Sequence, residues 1–139
     1  MKIQITENVE QVIDGYLMIP IVYGKIDIDA IPNNSATDIV AENAPDAVYV
    51  DDIIEFFQKV ASKVRTNGRL FVSGTDLSLL CKDVISGEIN AVQFNKLTTQ
   101  KRSLYPTNDI VNIMLNLGLK IESVQIKGNN YEIRATRSN

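Results

Sequence analysis

Residues 52–85 read DIIEFFQKVASKVRTNGRLFVSGTDLSLLCKDVI and contain a helix pattern, a strand pattern and a second helix pattern, in that order. Apolar residues at three- and four-residue spacing predict an amphipathic helix over 52–64. An apolar run between two glycines predicts a buried strand over Arg69–Gly74, and Asp76–Ile85 predicts the second helix, with its acid as the N-cap. A buried strand between two helices is typical of an α/β sheet.

Four further strands and one helix are predicted upstream of this stretch. Polar and apolar residues alternate over short segments that turn residues separate, which is the pattern of strands in a sheet. A helix is predicted where apolar residues recur at three- and four-residue spacing ahead of Pro20. The predicted strands are Lys2–Thr6, Lys25–Ala30, Thr37–Ala41 and Ala47–Val50, and the predicted helix is Glu7–Met18.

The downstream residues predict an irregular segment, a helix and a closing hairpin. Glu88–Tyr105 is polar and has no sustained periodicity, so we expect irregular structure there. Thr107–Leu117 has one apolar face and is followed by a glycine, which predicts a helix. Leu119–Lys127 and Tyr131–Arg137 flank the turn sequence Gly-Asn-Asn and predict a hairpin.

Together these patterns predict one α/β domain over residues 1–139. Its sheet is expected to have seven strands, mostly parallel, and to close with a C-terminal antiparallel hairpin. Tyr131–Arg137 should then lie between the fifth and sixth strands, and Lys2–Thr6 should lie inside the sheet rather than at its edge.

The composition excludes several functional classes. The 139 residues are 45% hydrophobic and 22% charged, which is ordinary for a globular domain, and the net charge is −3. An acidic chain without a run of Lys or Arg is not expected to bind nucleic acid. No apolar run approaches the roughly 20 residues of a membrane span, and the N-terminus lacks the layout of a signal peptide. We therefore expect a cytoplasmic protein that binds neither nucleic acid nor membrane.

The sequence contains no histidine and a single cysteine, Cys81. Histidine is the usual general base, a common zinc ligand and a member of the serine and cysteine catalytic groups, so these chemistries are excluded. A single cysteine forms neither an internal disulfide nor a thiolate metal site, and we interpret Cys81 as a small apolar residue on a helix. No metal site is expected, and no catalytic residue is assigned.

The segments around the central strand resemble a known family. Asn67–Val72 (NGRLFV) is similar to the L-x-P-G-G-R-L-hydrophobic segment that begins the fifth strand of class I S-adenosylmethionine-dependent methyltransferases. Thr75-Asp76-Leu77 is similar to the P-D-L that ends this strand in a small predicted subfamily, often encoded beside sugar-modifying enzymes. Other matches follow in order: Lys25–Asp29 to the second strand, Thr37–Glu42 to the third, Ala47–Val50 to the fourth and Gly118-Leu119 to the sixth.

The resemblance implies a Rossmann-like fold, S-adenosylmethionine as the cofactor and cofactor contacts at the carboxyl ends of strands. Asp29 matches the acid that commonly takes the ribose hydroxyls, and Glu42 matches the acid that usually meets the adenine amine. Asp51, with Asp52, follows the predicted fourth strand, where α/β folds present ligand contacts. Simpler interpretations stay open: Asp29 on the solvent face of an edge strand, Glu42 as a solvated loop acid and Asp51 as a helix cap.

The chain departs from the family at the glycine-rich turn. The resemblance implies a G-x-G-x-G sequence after the first strand, which lets the backbone approach the cofactor. Glu7-Asn8-Val9-Glu10 follows Lys2–Thr6 instead, and no glycine occurs before Gly15. A carboxylate there would also repel the methionine carboxylate of the cofactor. We therefore expect the binding of S-adenosylmethionine to be weak or absent.

Three functions remain open. The first is a methyltransferase that acts on a small-molecule or glycan-type acceptor. The second is a non-catalytic binding or assembly module with a methyltransferase-like fold, and the third is an unrelated small α/β binding protein. Asp29, Glu42, Asp51 and Asp52 are expected to give the crevice an acidic rim, which favours a cationic or hydroxyl-rich ligand. A chain of this length also has little to cover a substrate, so a homodimer is expected to supply the cover.

Overall fold

The computed structural model describes residues 1–138. Its six strands are β1 (Lys2–Thr6), β2 (Leu17–Pro20), β3 (Ala36–Ala41), β4 (Val64–Thr75), β5 (Leu119–Lys127) and β6 (Asn130–Arg137). They form one mixed sheet in the order β2-β1-β3-β4-β6-β5. The first four strands are parallel to one another, whereas β6 pairs antiparallel with both β4 and β5. The predicted position of the hairpin strand, and that of β1 inside the sheet, are confirmed.

The described residues contain four α-helices: α1 (Ile53–Lys63), α2 (Leu77–Ser86), α3 (Ala91–Thr98) and α4 (Thr107–Asn116). Three of them, α1, α2 and α4, agree with the predicted helices to within one residue at each end. Gly87 and Gly118 follow α2 and α4 with φ of 84° and 83°, so each occupies the left-handed position that ends a helix and favours glycine. Over residues 1–138, no helix is both long and apolar enough to cross a bilayer.

One face of the sheet forms the hydrophobic core with α1 and α4. Ile39, Leu70 and Ile133 lie on this face and are at most 2% exposed, and Phe57 and Met114 pack into the same cluster from the two helices. Burying a side chain of this size stabilises the fold by roughly 1.5–3 kcal/mol. The core therefore holds the central strands in register, and the carboxyl ends of β1, β3 and β4 meet at one edge.

The predicted helix Glu7–Met18 is wrong. Residues 7–16 consist of turns at 9–10 and 14–15 joined by irregular backbone, and β2 begins at Leu17. Val9 and Val12, which would have formed the apolar face of the helix, are 50% and 56% exposed. A short helix whose apolar face has nothing to pack against is marginal in water, and the turns instead bond to the buried Gln4 of β1.

The predicted strand Lys25–Ala30 is also wrong. Ile26 and Ile28 are buried, so the alternation in the sequence does mark an inward and an outward side. However, the backbone makes only an isolated bridge between Val22 and Lys25, and β2 takes the place beside β1. The alternation therefore reflects which side chains of this loop are buried and which are exposed. It does not mark a strand of the sheet.

Ala47–Val50, the predicted fourth strand, consists of turns. Ala47 ends the 3-10 turn Pro45–Ala47, and Val50 begins a second 3-10 turn, Val50–Asp52. Pro45 has no N–H to donate to a neighbouring strand, and β3 already pairs directly with β4. Two predicted strands are therefore absent and β2 was not predicted, so the sheet of the described residues has six strands and not seven.

The segment predicted to be irregular, Glu88–Tyr105, contains α3. Asn90 and Gln93 form a reciprocal capping box at its start, each side chain accepting a hydrogen bond from the backbone N–H of the other at 2.9 Å. None of the residues of α3 is buried. The helix was missed because it has no apolar face directed at the core, and only the cap marks it in the sequence.

Candidate ligand-binding cleft

An open cleft of about 1130 Å³ lies at the carboxyl ends of β1, β3 and β4. Parallel sheets open a crevice at this edge, and α/β proteins commonly bind ligands there. The polar side chains that line it come from the end of β1 and the loop after it, from the turns after β3, from the end of β4, from the end of α3 and the segment after it, and from the hairpin between β5 and β6. They include Thr6, Glu7, Asn8, Gln11, Glu42, Asn43, Asp46, Thr75, Lys96, Thr99, Gln100, Lys101 and Asn130.

The loop after β1 is held by side chains and not by a glycine turn. The Asn8 N–H donates to Thr6 Oγ1 at 3.0 Å, and the Ile13 N–H donates to Gln4 Oε1 at 2.8 Å. The N–H groups of Glu10 and Gln11 donate to the side chain and the carbonyl of Asn8. These four N–H groups are therefore occupied within the protein, and this backbone is not arranged as an anion-binding turn.

The turn after β3 places two residues in the cleft wall. Glu42 is exposed and lines the cleft. Asn43 adopts a left-handed conformation with φ of 55°, which asparagine tolerates better than most residues, and its N–H donates to Ser73 Oγ at 3.0 Å. The chain therefore leaves the extended conformation of β3 at Glu42 and Asn43.

The other two predicted cofactor contacts lie elsewhere. Asp29 is an exposed residue of the loop before β3, and its N–H donates to Asp27 Oδ1 at 3.3 Å. Asp51 is exposed in the 3-10 turn Val50–Asp52 and, like Asp52, makes no side-chain cap bond to α1. Of the four acids expected at the rim, only Glu42 lines the cleft.

Asp46 is the central acidic residue of the site and was not singled out in the sequence. It is 5% exposed and lies in the 3-10 turn after β3. Its carboxylate accepts the Thr75 N–H at 3.1 Å and the Thr75 hydroxyl at 2.8 Å, and Lys101 Nζ lies 3.0 Å from Oδ2. A buried charge is tolerated only when it is paired and hydrogen-bonded in this way. The signal in the sequence was an acid inside a short apolar stretch, APDAV.

Gly74 makes this arrangement sterically possible. A Cβ atom at this position would lie 2.5 Å from the Tyr131 hydroxyl oxygen and 2.9 Å from Asp46 Oδ1. Burial, together with the nearby charges of Asp46 and Asp76, raises the pKa of Tyr131 far above its usual range. The Tyr131 hydroxyl therefore stays protonated and does not serve as a base.

Arg102, in the segment that follows α3, contacts Tyr49 and the cleft residue Glu7. Its Nη1 donates to the Tyr49 hydroxyl at 3.0 Å, and its guanidinium lies 5.0 Å from the centre of the Tyr49 ring. Its Nε lies 3.9 Å from Glu7 Oε2. The negative charge of Glu7 therefore faces a cation, which weakens the repulsion that Glu7 would exert on an anionic ligand.

The charges of the cleft are mixed and not uniformly acidic. Asp46 is paired with Lys101, and Glu7 faces Arg102. Glu42 and Lys96 also line the cleft, and neither has an oppositely charged partner within 4 Å in the part of the chain that the structure describes. One free carboxylate and one free ammonium group favour a ligand that carries both hydrogen-bond donors and an anionic group.

Asp76, at the end of β4, holds the starts of two helices. Its Oδ1 accepts the Leu79 N–H at 2.8 Å and caps α2, while Oδ2 accepts the N–H and the hydroxyl of Thr107 at the start of α4. Burial by itself would raise the pKa of Asp76, but the hydrogen bonds from Thr107, Leu79 and Ser78 outweigh it, so the pKa lies below its usual value. Both oxygens of the Asp76 carboxylate are therefore hydrogen-bonded within the protein.

The fold is similar to that of solved methyltransferase structures. An O-methyltransferase family protein from Burkholderia thailandensis aligns with 89% of this chain at a TM-score of 0.65 and 13% identity. Magnesium protoporphyrin IX methyltransferase from Synechocystis PCC 6803, with bound SAH, aligns with 95% at 0.59 and 14% identity. A SAM-dependent methyltransferase from Methanosarcina mazei aligns with 99% at 0.63 and 10% identity.

No protein-family model and no curated protein sequence matches the chain. The chain spans 36% of the Burkholderia protein, 56% of the Synechocystis enzyme and 82% of the Methanosarcina protein. At these identities the likeness concerns the fold alone. The chain has a class I methyltransferase-like fold, as the resemblance in its sequence implied.

We expect Asp46→Ala to destabilise the protein by about 3–5 kcal/mol, because it leaves the Lys101 ammonium group and the Thr75 N–H without their buried partner. Asp46→Asn, which keeps an acceptor for Thr75, should cost less. Urea unfolding followed by circular dichroism measures both. Asp51→Ala, in the neighbouring turn, is the control and should change stability by about 0.5 kcal/mol or less. Equal losses for Asp46→Ala and Asp51→Ala would refute the role of the buried carboxylate.

Asp76 should make stability depend on acidity. Because its pKa is lowered by folding, it stabilises the protein above the unfolded value of about 3.9, and this contribution is lost as the pH falls through the folded value. Asp76→Asn keeps an oxygen that can cap α2 but places an NH2 group where Oδ2 accepts from Thr107, so it should be less stable at pH 7 by about 1–3 kcal/mol and should lose less stability than the unaltered protein on acidification. Urea unfolding between pH 7 and pH 3 tests this, with Asp83→Asn on the same helix as the control. Parallel pH profiles for all three proteins would contradict it.

Proposed function

We propose that the cleft binds S-adenosylmethionine or a closely related adenosyl compound, and that the protein is methyltransferase-like with an altered cofactor site. The observation that carries this proposal is the position of Glu42, a free carboxylate in a cleft of about 1130 Å³ at the carboxyl ends of β1, β3 and β4. The methyltransferase-like fold supports it.

The residues of the cleft suit a nucleoside. The Glu42 carboxylate can accept two hydrogen bonds from ribose hydroxyls or one from an adenine amine, and the amide of Asn43 lies next to it in the same wall. S-adenosylmethionine, when bound, supplies an electrophilic methyl group. The chain itself would contribute positioning, since the Tyr131 hydroxyl stays protonated and no histidine is present.

The same cleft supports weak binding. The loop after β1 donates the N–H groups of Asn8, Glu10, Gln11 and Ile13 within the protein, so they are not available to a ligand carboxylate. Glu7 adds a negative charge that the Arg102 guanidinium at 3.9 Å only partly offsets. We therefore propose a dissociation constant above about 100 µM, which corresponds to a binding free energy weaker than about −5.5 kcal/mol.

Four N–H groups of the loop after β1 are hydrogen-bonded within the protein, and this also favours a second candidate function, that of a non-catalytic binding or assembly module. In that case the cleft would hold a ligand without methyl transfer, or the fold would serve as a surface for a partner. The two candidates differ in one measurable property, because only the first requires that an adenosyl compound bind in the cleft.

The acceptor we propose is a small molecule or a glycan-type compound. Amide and hydroxyl side chains account for much of the cleft wall, and such groups hydrogen-bond sugar hydroxyls. They include Thr6, Gln11, Asn43, Thr99, Gln100 and Asn130. A second copy of the chain could cover the open side of the cleft, and this homodimer is proposed from the small size of the protein.

We expect S-adenosylhomocysteine to bind with a dissociation constant above about 100 µM and Glu42→Ala to weaken it about tenfold, because a hydrogen bond to a charged group contributes about 1.5 kcal/mol or more. Titration of ¹⁵N-labelled protein, followed by amide chemical shifts, measures such constants and reports on folding. Asp29→Ala, an exposed acid outside the cleft, is the matched control and should bind like the unaltered protein. No shifts at several millimolar ligand would favour the non-catalytic module. Low-micromolar binding that depends on Asp29 and not on Glu42 would overturn the proposed site.

The proposed homodimer predicts a particle of twice the 15.5 kDa chain mass. Sedimentation equilibrium over a range of protein concentrations measures it, with and without S-adenosylhomocysteine. A monomer at all concentrations and in both conditions would remove the homodimer from the proposal and leave the cleft open to solvent.

A further inference from the structure

Lys96 is a cation of the cleft with no acidic partner. It lies in the last turn of α3, is exposed, and lines the cleft together with the next residue, Leu97. No carboxylate lies within 4 Å of it among residues 1–138, whereas Lys101, the other lysine in the wall, is paired with the buried Asp46. Any anionic group that enters the cleft would therefore meet Lys96 as a cation that is free to bind it.

The segment that follows α3 lies close to the loop after β1. Thr99, Gln100, Lys101 and Arg102 line a smaller pocket together with Glu7, the first residue after β1, and Arg102 Nε lies 3.9 Å from the Glu7 carboxylate. The segment that follows α3 thus approaches the place where a glycine turn would have held the charged end of an adenosyl ligand. That loop has four of its N–H groups occupied within the protein, so an anion there depends on side-chain cations.

The packing of α3 suits a ligand-contacting role. None of its residues is buried, and Leu97 is 43% exposed although it lines the cleft. A helix that contributes nothing to the core is held by its cap and by the contacts of Lys101 and Arg102. Its cleft-facing residues therefore stabilise the fold little and are free to contact a ligand.

We propose that Lys96 binds the carboxylate of the amino-acid moiety of the ligand, so that α3 supplies the anion contact that a glycine turn provides in the family the sequence resembles. This inference rests on the proposed adenosyl ligand and adds the residue that recognises its charged end. An ammonium group and a carboxylate form a charge-assisted hydrogen bond, which is stronger than a neutral one.

A comparison of two ligands distinguishes a failure of this inference from a failure of the proposed function. S-adenosylhomocysteine carries the amino-acid carboxylate, whereas 5′-methylthioadenosine has the same nucleoside and thioether without it. Both are titrated into ¹⁵N-labelled protein, into Lys96→Ala and into Lys96→Arg. Lys82→Ala removes an exposed lysine from α2, outside the cleft, and is the matched control.

We expect Lys96→Ala to weaken S-adenosylhomocysteine about tenfold and to leave 5′-methylthioadenosine unchanged, while Lys96→Arg and Lys82→Ala bind both compounds like the unaltered protein. Equal effects of Lys96→Ala on the two ligands, or no effect on either, would overturn the inference and leave the adenosyl site standing. If neither compound shifts any resonance of the unaltered protein, the proposed function fails and the inference fails with it.

Discussion

The burial of the Asp46 carboxylate at the end of β4 is the constraint on which the rest of the cleft depends. It brings together three parts of the chain that are far apart in sequence: the turn after β3, the end of β4 at Thr75 and the segment after α3 at Lys101. Removing a carboxylate from water costs several kcal/mol, so all of these partners are needed to offset the cost. Gly74 is needed too, because any side chain there would displace the Tyr131 hydroxyl or the carboxylate.

The acids at the strand ends have different roles in spite of their similar positions. Asp46 and Asp76 are buried and bond to the backbone and side chains of the fold, whereas Glu42 is exposed and lacks a cationic partner among residues 1–138. A carboxylate whose lone pairs are filled by the protein has little left for a ligand. Of these three acids, only Glu42 therefore has a carboxylate left for the ligand that we propose, and the other two hold the walls around it.

The chain combines a methyltransferase-like sheet with an altered first loop. In the sheet, the order of strands and the position of the cleft follow from parallel pairing and from the antiparallel β6. In the loop after β1, the side chains of Thr6 and Gln4 accept the N–H groups of Asn8 and Ile13. A fold therefore places a ligand site at an edge of the sheet, but the chemistry of that site is set by the few residues that line it.

The sequence by itself determined the helices α1, α2 and α4, the strands β1, β3 and β4 and the closing hairpin, because these elements each carry a periodicity, a cap or a turn that depends on near neighbours. It also predicted that Glu42 lies at the rim of the cleft, where the structure has it. Only the tertiary structure decided that residues 7–16 are turns and irregular backbone, that β2 and not Lys25–Ala30 enters the sheet, and that Asp46 is the buried acid. These outcomes depend on partners distant in sequence, such as Lys101, 55 positions from Asp46, and local periodicity does not record such contacts.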